Sequence, residues 1–226
     1  MVTPFTDLDA EPAIRGFLHL PPVSNGSAIV LTHGAGSNCQ AKLLVEMSSA
    51  LAVSGFTVLR FDLPFRSVRP QGPPRRGSAE RDREGLRRAV SIMRKKTGGH
   101  LLLGGHSYGG RQSTILVAEE PELVDGLLLL SYPLHPPRKP AELRTGHFSK
   151  LGRACFFVHG TRDPFGTIAE MQSALQLIPA QHALFEVDGA GHDLLGKKAA
   201  SELPTRIAVE FQAFLSKAAV GRTTAC

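Results

Sequence analysis

The sequence predicts an α/β fold: a doubly wound, mostly parallel sheet with helices on both faces, a three-layer sandwich. Three observations lead there. Six short apolar runs are continuous rather than alternating, as strands buried on both faces of a parallel sheet require. Segments with helical spacing separate them, and strands alternating with helices build such a sheet through right-handed crossovers. The chain has 226 residues, 42% apolar and 20% charged, enough for one domain with a substantial core.

The elements follow in chain order. "MVTPFTDLDAEPA" lacks the basic and apolar regions of a secretory signal. "AIRGFLHL" (13–20) alternates and predicts an antiparallel edge strand. "SAIVLTHG" (27–34) is the first buried strand. Residues 40–53 space Leu43, Leu44, Met47 and Leu51 helically, with Gly55 as a stop. "TVLRFD" (57–62) is the next strand, and the Pro- and Arg-rich 63–77 reads as irregular. Residues 78–96 place Leu86, Val90 and Met93 on one helix face. "HLLLGGHS" (100–107) is a strand and 110–119 a helix. "GLLLLSYPL" (126–134), "ACFFVHG" (154–160) and "HALFEVDG" (182–189) are strands; 167–178 and 204–217 are helices. The connection at 135–153 is too short for a helical cap, so one cap-less domain over 1–226 is expected.

Composition narrows the function classes. No apolar run reaches the roughly 20 residues that cross a bilayer. Tryptophan is absent and Tyr numbers 2, so stacking platforms for nucleic acid are scarce. Between Arg60 and Lys96 stand twelve basic residues against Asp62, Glu80, Asp82 and Glu84. That bias reads first as a solvated loop and helix face. Its other readings are attraction of anionic substrates and, more remotely, nucleic-acid binding. Cys39, Cys155 and Cys226 form neither a disulfide framework nor a zinc motif, so no metal site and a reducing cytoplasm are expected.

The chemistry centres on Gly105-His106-Ser107-Tyr108-Gly109, a G-x-S-x-G pattern that ends a buried strand and opens a helix. A serine on so sharp a turn takes an unfavourable backbone conformation to project its hydroxyl. Side chains at Gly105 and Gly109 would collide with the flanking elements. Ser107 is therefore a candidate nucleophile, and it needs a base and an orienting acid. His192, in the Gly-rich loop "DGAGHDLLG" after the last strand, is the candidate base. His159 reads as a buried neighbour, and His106 should point away from the hydroxyl. Asp163, in the turn "RDPFG", is the candidate acid, with Asp62, Asp188 and Asp193 as rivals. "LTHGAGSN" (31–38) supplies the remaining need. Gly34 and Gly36 let the backbone approach a substrate, and Ala35 N–H with Tyr108 N–H would hold an oxyanion. His33 then shapes the loop. Arg66 is the candidate substrate-binding arginine of 63–77.

These elements, "IVLTHGAG", "GGHSYGG", "HGTRDPF" and "GAGHDL", resemble the α/β-hydrolase superfamily over nearly the whole chain. Within it the chain is similar to the small lidless members near dienelactone hydrolase. It is most similar to the Tex/KANL-type group, which shares "LTHGAG", "GG-S-GG" and "SYPLHPP". Dienelactone hydrolases carry a cysteine nucleophile, and this chain has serine at that position, so their lactone chemistry does not carry over. The resemblance implies an α/β-hydrolase fold, a triad of Ser107, Asp163 and His192, and no cofactor. The expected function is cleavage of an ester, thioester or related acyl bond of a small soluble substrate. The alternative is a catalytically inactive scaffold that binds proteins. Neither nucleic acid nor membrane is an expected partner, and monomer and homodimer both stay open.

Overall fold

One eight-stranded sheet organises the chain in the computed structural model, which describes residues 1–195 and 202–223. The strands are β1 (Val2–Asp7), β2 (Ile14–His19), β3 (Ala28–Thr32), β4 (Thr57–Phe61), β5 (Leu101–His106), β6 (Gly126–Leu130), β7 (Ala154–Gly160) and β8 (His182–Val187). Their order is β1-β2-β4-β3-β5-β6-β7-β8. The β1–β2 and β2–β4 pairs are antiparallel, and every other pair is parallel.

Continuous apolar runs became buried strands because both faces are covered. On one face, Val30, Leu103, Leu129 and Phe157 pack under α3 (Ala79–Arg94), α4 (Tyr108–Glu119) and α5 (Ile168–Leu175). On the other, Leu31, Leu102, Leu128 and Phe156 meet α1 (Lys42–Val53) and α6 (Leu203–Thr223). Each fully buried leucine contributes about 2 kcal/mol of apolar burial, so the central strands anchor both layers. α5 starts with a capping box: Thr167 accepts from the Glu170 N–H, and the Glu170 carboxylate accepts from the Thr167 N–H.

Three expectations are corrected. The strand expected at an edge, β2, lies second in the sheet; β1 is the edge. β1 gave little apolar signal because its residues are exposed or half-buried, and Pro4 is tolerated at an edge that lacks an outer partner. The 63–77 segment opens with a short helix, α2 (Pro64–Val68), started by a proline whose missing N–H costs nothing at a first helical position. α4 begins two residues before the expected 110, so Gly109 and Gly110 lie inside the helix. Between β6 and β7 the chain forms only a 3-10 turn at Phe148–Lys150. No helix among the described residues is long and apolar enough to cross a membrane.

Candidate active site

Ser107 sits between β5 and α4 with φ +50° and ψ −113°. Such a backbone is strained for a residue with a side chain, by about 1–3 kcal/mol. It persists because the surroundings hold it: the Ser107 N–H donates to Leu130 O at 2.9 Å, tying the turn to β6. The flanking glycines are steric necessities. A Cβ on Gly105 would stand 2.5 Å from Thr32 O, and one on Gly109 would stand 2.7 Å from His33 O. Both clashes are with the backbone at the end of β3. The turn can form only where two glycines let β3 come this close.

Loops after β7 and β8 meet over this turn. His192 Nε2 lies 2.8 Å from Ser107 Oγ, and His192 Nδ1 lies 2.8 Å from Asp163 Oδ2. The Asp163 carboxylate is fully buried, and its Oδ1 accepts the Phe165 N–H at 2.9 Å. A carboxylate only accepts, so Nδ1 carries the imidazole proton and Nε2 is left to accept from the serine. Phe165 packs against the His192 ring, tilted by 33° at a centroid distance of 4.2 Å. Asp62 accepts the Cys39 N–H at 2.6 Å, and Asp188 accepts the Thr161 hydroxyl at 3.3 Å. The imidazole thus bonds Asp163 and not these two rivals. His159 is buried, and its Nε2–H donates to Gly166 O at 2.8 Å.

The 33–38 loop comes up beside the serine from β3. His33 Nε2 accepts the Leu63 N–H at 3.1 Å, so its Nδ1–H donates to Gly34 O at 2.8 Å. Burial lowers the His33 pKa, which suits a neutral ring shaping a turn. Gly34 faces the His106 ring, where a Cβ would come within 3.0 Å of Nδ1; Gly36 faces open space. Tyr108 is the first residue of α4, so its N–H has no acceptor within the helix. Arg66 is buried, and its guanidinium donates to Ala35 O and Arg69 O at 2.9 Å each. These two bonds tie the Ala35 loop to the end of α2.

An alpha/beta hydrolase domain model matches residues 25–215. The chain belongs to the alpha/beta hydrolase family. Solved structures agree in fold. A dienelactone hydrolase from Anabaena variabilis superposes with a TM-score of 0.75 at 17% identity, over 96% of this chain and 98% of that one. Est1E from Butyrivibrio proteoclasticus gives 0.75 at 13%, over 94% and 99%. A serine hydrolase without lid from Xanthomonas campestris gives 0.69 at 17%, over 96% and 94%.

Several residues that organise this hydrolase's site escaped the sequence reading. His106 does turn from the serine, but its Nε2–H donates to His192 O at 2.8 Å and so holds the histidine loop. Burial pushes its pKa down to about 4, keeping the ring neutral. Asp82, fully buried on α3, accepts the Tyr108 hydroxyl at 2.7 Å and the Phe65 N–H at 2.9 Å. Its pKa is raised by burial. One signal for Asp82 was available: it stands four residues before Leu86, in the apolar stripe of α3. Phe65 packs edge-on against Tyr108 and His33. Beyond Phe65 lies a cavity of about 280 Å³ lined by Pro64, Val68 and Arg69, and none of Ser107, Asp163 or His192 reaches it. Cys39 and Cys155 are buried free thiols, both pushed up to about 12 by burial; Cys226 lies outside the described residues.

Proposed function

We propose that this hydrolase cleaves an ester, thioester or related acyl bond of a small-molecule substrate through an acyl-enzyme on Ser107. The observation that carries the reading is the two 2.8 Å contacts of His192, one to Ser107 and one to Asp163. Ser107 Oγ attacks the carbonyl carbon while His192 Nε2 takes its proton. The tetrahedral oxygen receives the N–H groups of Ala35 and Tyr108, each worth on the order of 3 kcal/mol of transition-state stabilisation. His192 then returns the proton to the leaving group, and the acyl-enzyme remains. A water molecule, deprotonated by the same nitrogen, releases the acid. Asp163 stays ionised throughout. It fixes the imidazole tautomer and stabilises the imidazolium, and Phe165 packs against the ring.

The β6–β7 connection with its single 3-10 turn supports an uncapped site open to small, water-borne substrates. The two free thiols suit a reducing cytoplasm. A fluorophosphonate probe tests the reading. Labelling of the wild type that disappears in Ser107→Ala is the expected result; absence of labelling in folded wild-type protein would favour an inactive scaffold.

A further inference from the structure

The arginines of this chain differ in whether a carboxylate partners them. All five on α3, Arg81, Arg83, Arg87, Arg88 and Arg94, have a carboxylate within ion-pair distance: Glu11, Glu80, Glu120, Asp7 and Asp125. The basic stretch that stood out in the sequence is thus largely neutralised on its helix. Arg111 and Arg144 are among the arginines off this helix that differ. Among the described residues neither has a carboxylate within salt-bridge distance. Arg111 Nε is buried without a hydrogen-bond partner. Glu142, the acid whose charge reaches Arg144, is itself held by Lys139 at 2.8 Å.

Their position matters more than their number. Arg111 is in the first turn of α4, and its N–H donates to Ser107 O at 2.9 Å. Residues three and four apart share a helix face, so Arg111 is a neighbour of both Tyr108 and Ser107. Helical side chains lean back over the preceding turn, which here is the serine's own. The segment after β6 lies over the same face. The Tyr132 hydroxyl donates to Arg144 O at 2.7 Å, Arg144 Nη1 donates to Pro133 O at 3.2 Å, and His147 Nε2 lies 2.8 Å from the Thr114 hydroxyl, one turn beyond Arg111. Burial first, and then the Arg111 charge, lowers the pKa of Arg144 and brings that of His147 to about 4. The imidazole is therefore neutral and offers no counter-charge. Two guanidinium charges within electrostatic reach of each other repel, and the repulsion grows as water is removed.

We propose that Arg111 and Arg144 form an anion subsite beside Ser107, and that the substrate carries a carboxylate that fills it. A carboxylate takes two parallel N–H bonds from a guanidinium, which fixes orientation as well as charge. The inference rests on the acyl-hydrolase reading above. It places the charge-recognising role on this pair instead of on Arg66, which spends Nη1 and Nη2 on Arg69 O and Ala35 O.

Two matched substrate pairs test it. p-Nitrophenyl hemiadipate against its methyl-capped diester puts the charge on the acyl side. 4-Acetoxybenzoate against its methyl ester puts it on the leaving group. The expected result is a kcat/KM ratio of about tenfold or more in favour of the anion in one pair. That ratio should fall to near one in Arg111→Gln and in Arg144→Gln. Because it is a ratio, a general loss of folded enzyme does not move it. No preference in either pair, or a preference that survives both substitutions, overturns the subsite. If neither pair is turned over at all, the hydrolase reading fails separately. The subsite is then read by titrating adipate into the Ser107→Ala protein and following the arginine Nε–H signals by nitrogen-15 NMR. A saturable shift that Arg144→Gln removes supports it, and no shift overturns it.

Discussion

Replacing Asp163 by asparagine probes the site through one proton. The two carboxylate oxygens have separate partners: Oδ1 accepts the Phe165 N–H at 2.9 Å, and Oδ2 accepts from His192 Nδ1 at 2.8 Å. An asparagine must keep its oxygen toward Phe165, because its NH₂ there would meet another N–H. The NH₂ then points at His192 and forces Nδ1 to accept. The ring proton moves to Nε2, where it donates to Ser107 Oγ, and the base is gone while every heavy atom stays in place. The expected fall in kcat is about 10³–10⁴. At 1.36 kcal/mol per decade that is roughly 4–5.5 kcal/mol of transition-state stabilisation. Global stability should change by only about 1 kcal/mol, since a buried hydrogen bond is exchanged for a weaker one. The assay is hydrolysis of p-nitrophenyl acetate with the Ser107→Ala background subtracted, beside the rate of fluorophosphonate labelling. Folded Asp163→Asn protein retaining kcat within tenfold of wild type would refute the tautomer argument.

Three further outcomes are expected. Gly109→Ala sets a methyl group 2.7 Å from His33 O; it should destabilise the fold by about 1–3 kcal/mol and lower kcat more than it raises KM, as thermal unfolding and steady-state kinetics will show. Leu128→Ala, fully buried in β6, should cost about 3 kcal/mol of unfolding free energy in urea and leave KM unaltered. Burial, aided at His19 by the Arg60 charge, lowers the His19 and His106 pKa values from 6.5 to about 4. The unfolded chain therefore binds these protons first, so stability is complete above about pH 6.5 and is lost as pH falls toward 4. Each contributes up to about 1.4 kcal/mol per pH unit in that window, and urea midpoints that stay flat from pH 7 to 4.5 would contradict it.

Much of the fold was legible because its causes are local. A strand buried on both faces needs an unbroken apolar run, and β3, β5, β6 and β7 supply one each. The serine turn was legible for the same kind of reason. Its backbone geometry excludes side chains at Gly105 and Gly109, so the requirement is written into the five residues themselves. β1 and α2 were not legible. The first is held by pairing with β2 rather than by burial. The second is a five-residue helix whose stability comes from Phe65 packing and from the bond its N–H makes to Asp82, seventeen residues on.

The sequence by itself determined the layered α/β architecture, the strained serine between paired glycines, and the chain order of serine, aspartate and histidine. Tertiary structure alone decided that His192 reaches Ser107, that His106 and Phe165 pack around it there, and that Arg66 grips the Ala35 loop. The difference is physical. Periodicity and steric exclusion act between near neighbours and leave a pattern in the chain, whereas a hydrogen bond or a charge pair joins residues many positions apart and leaves none.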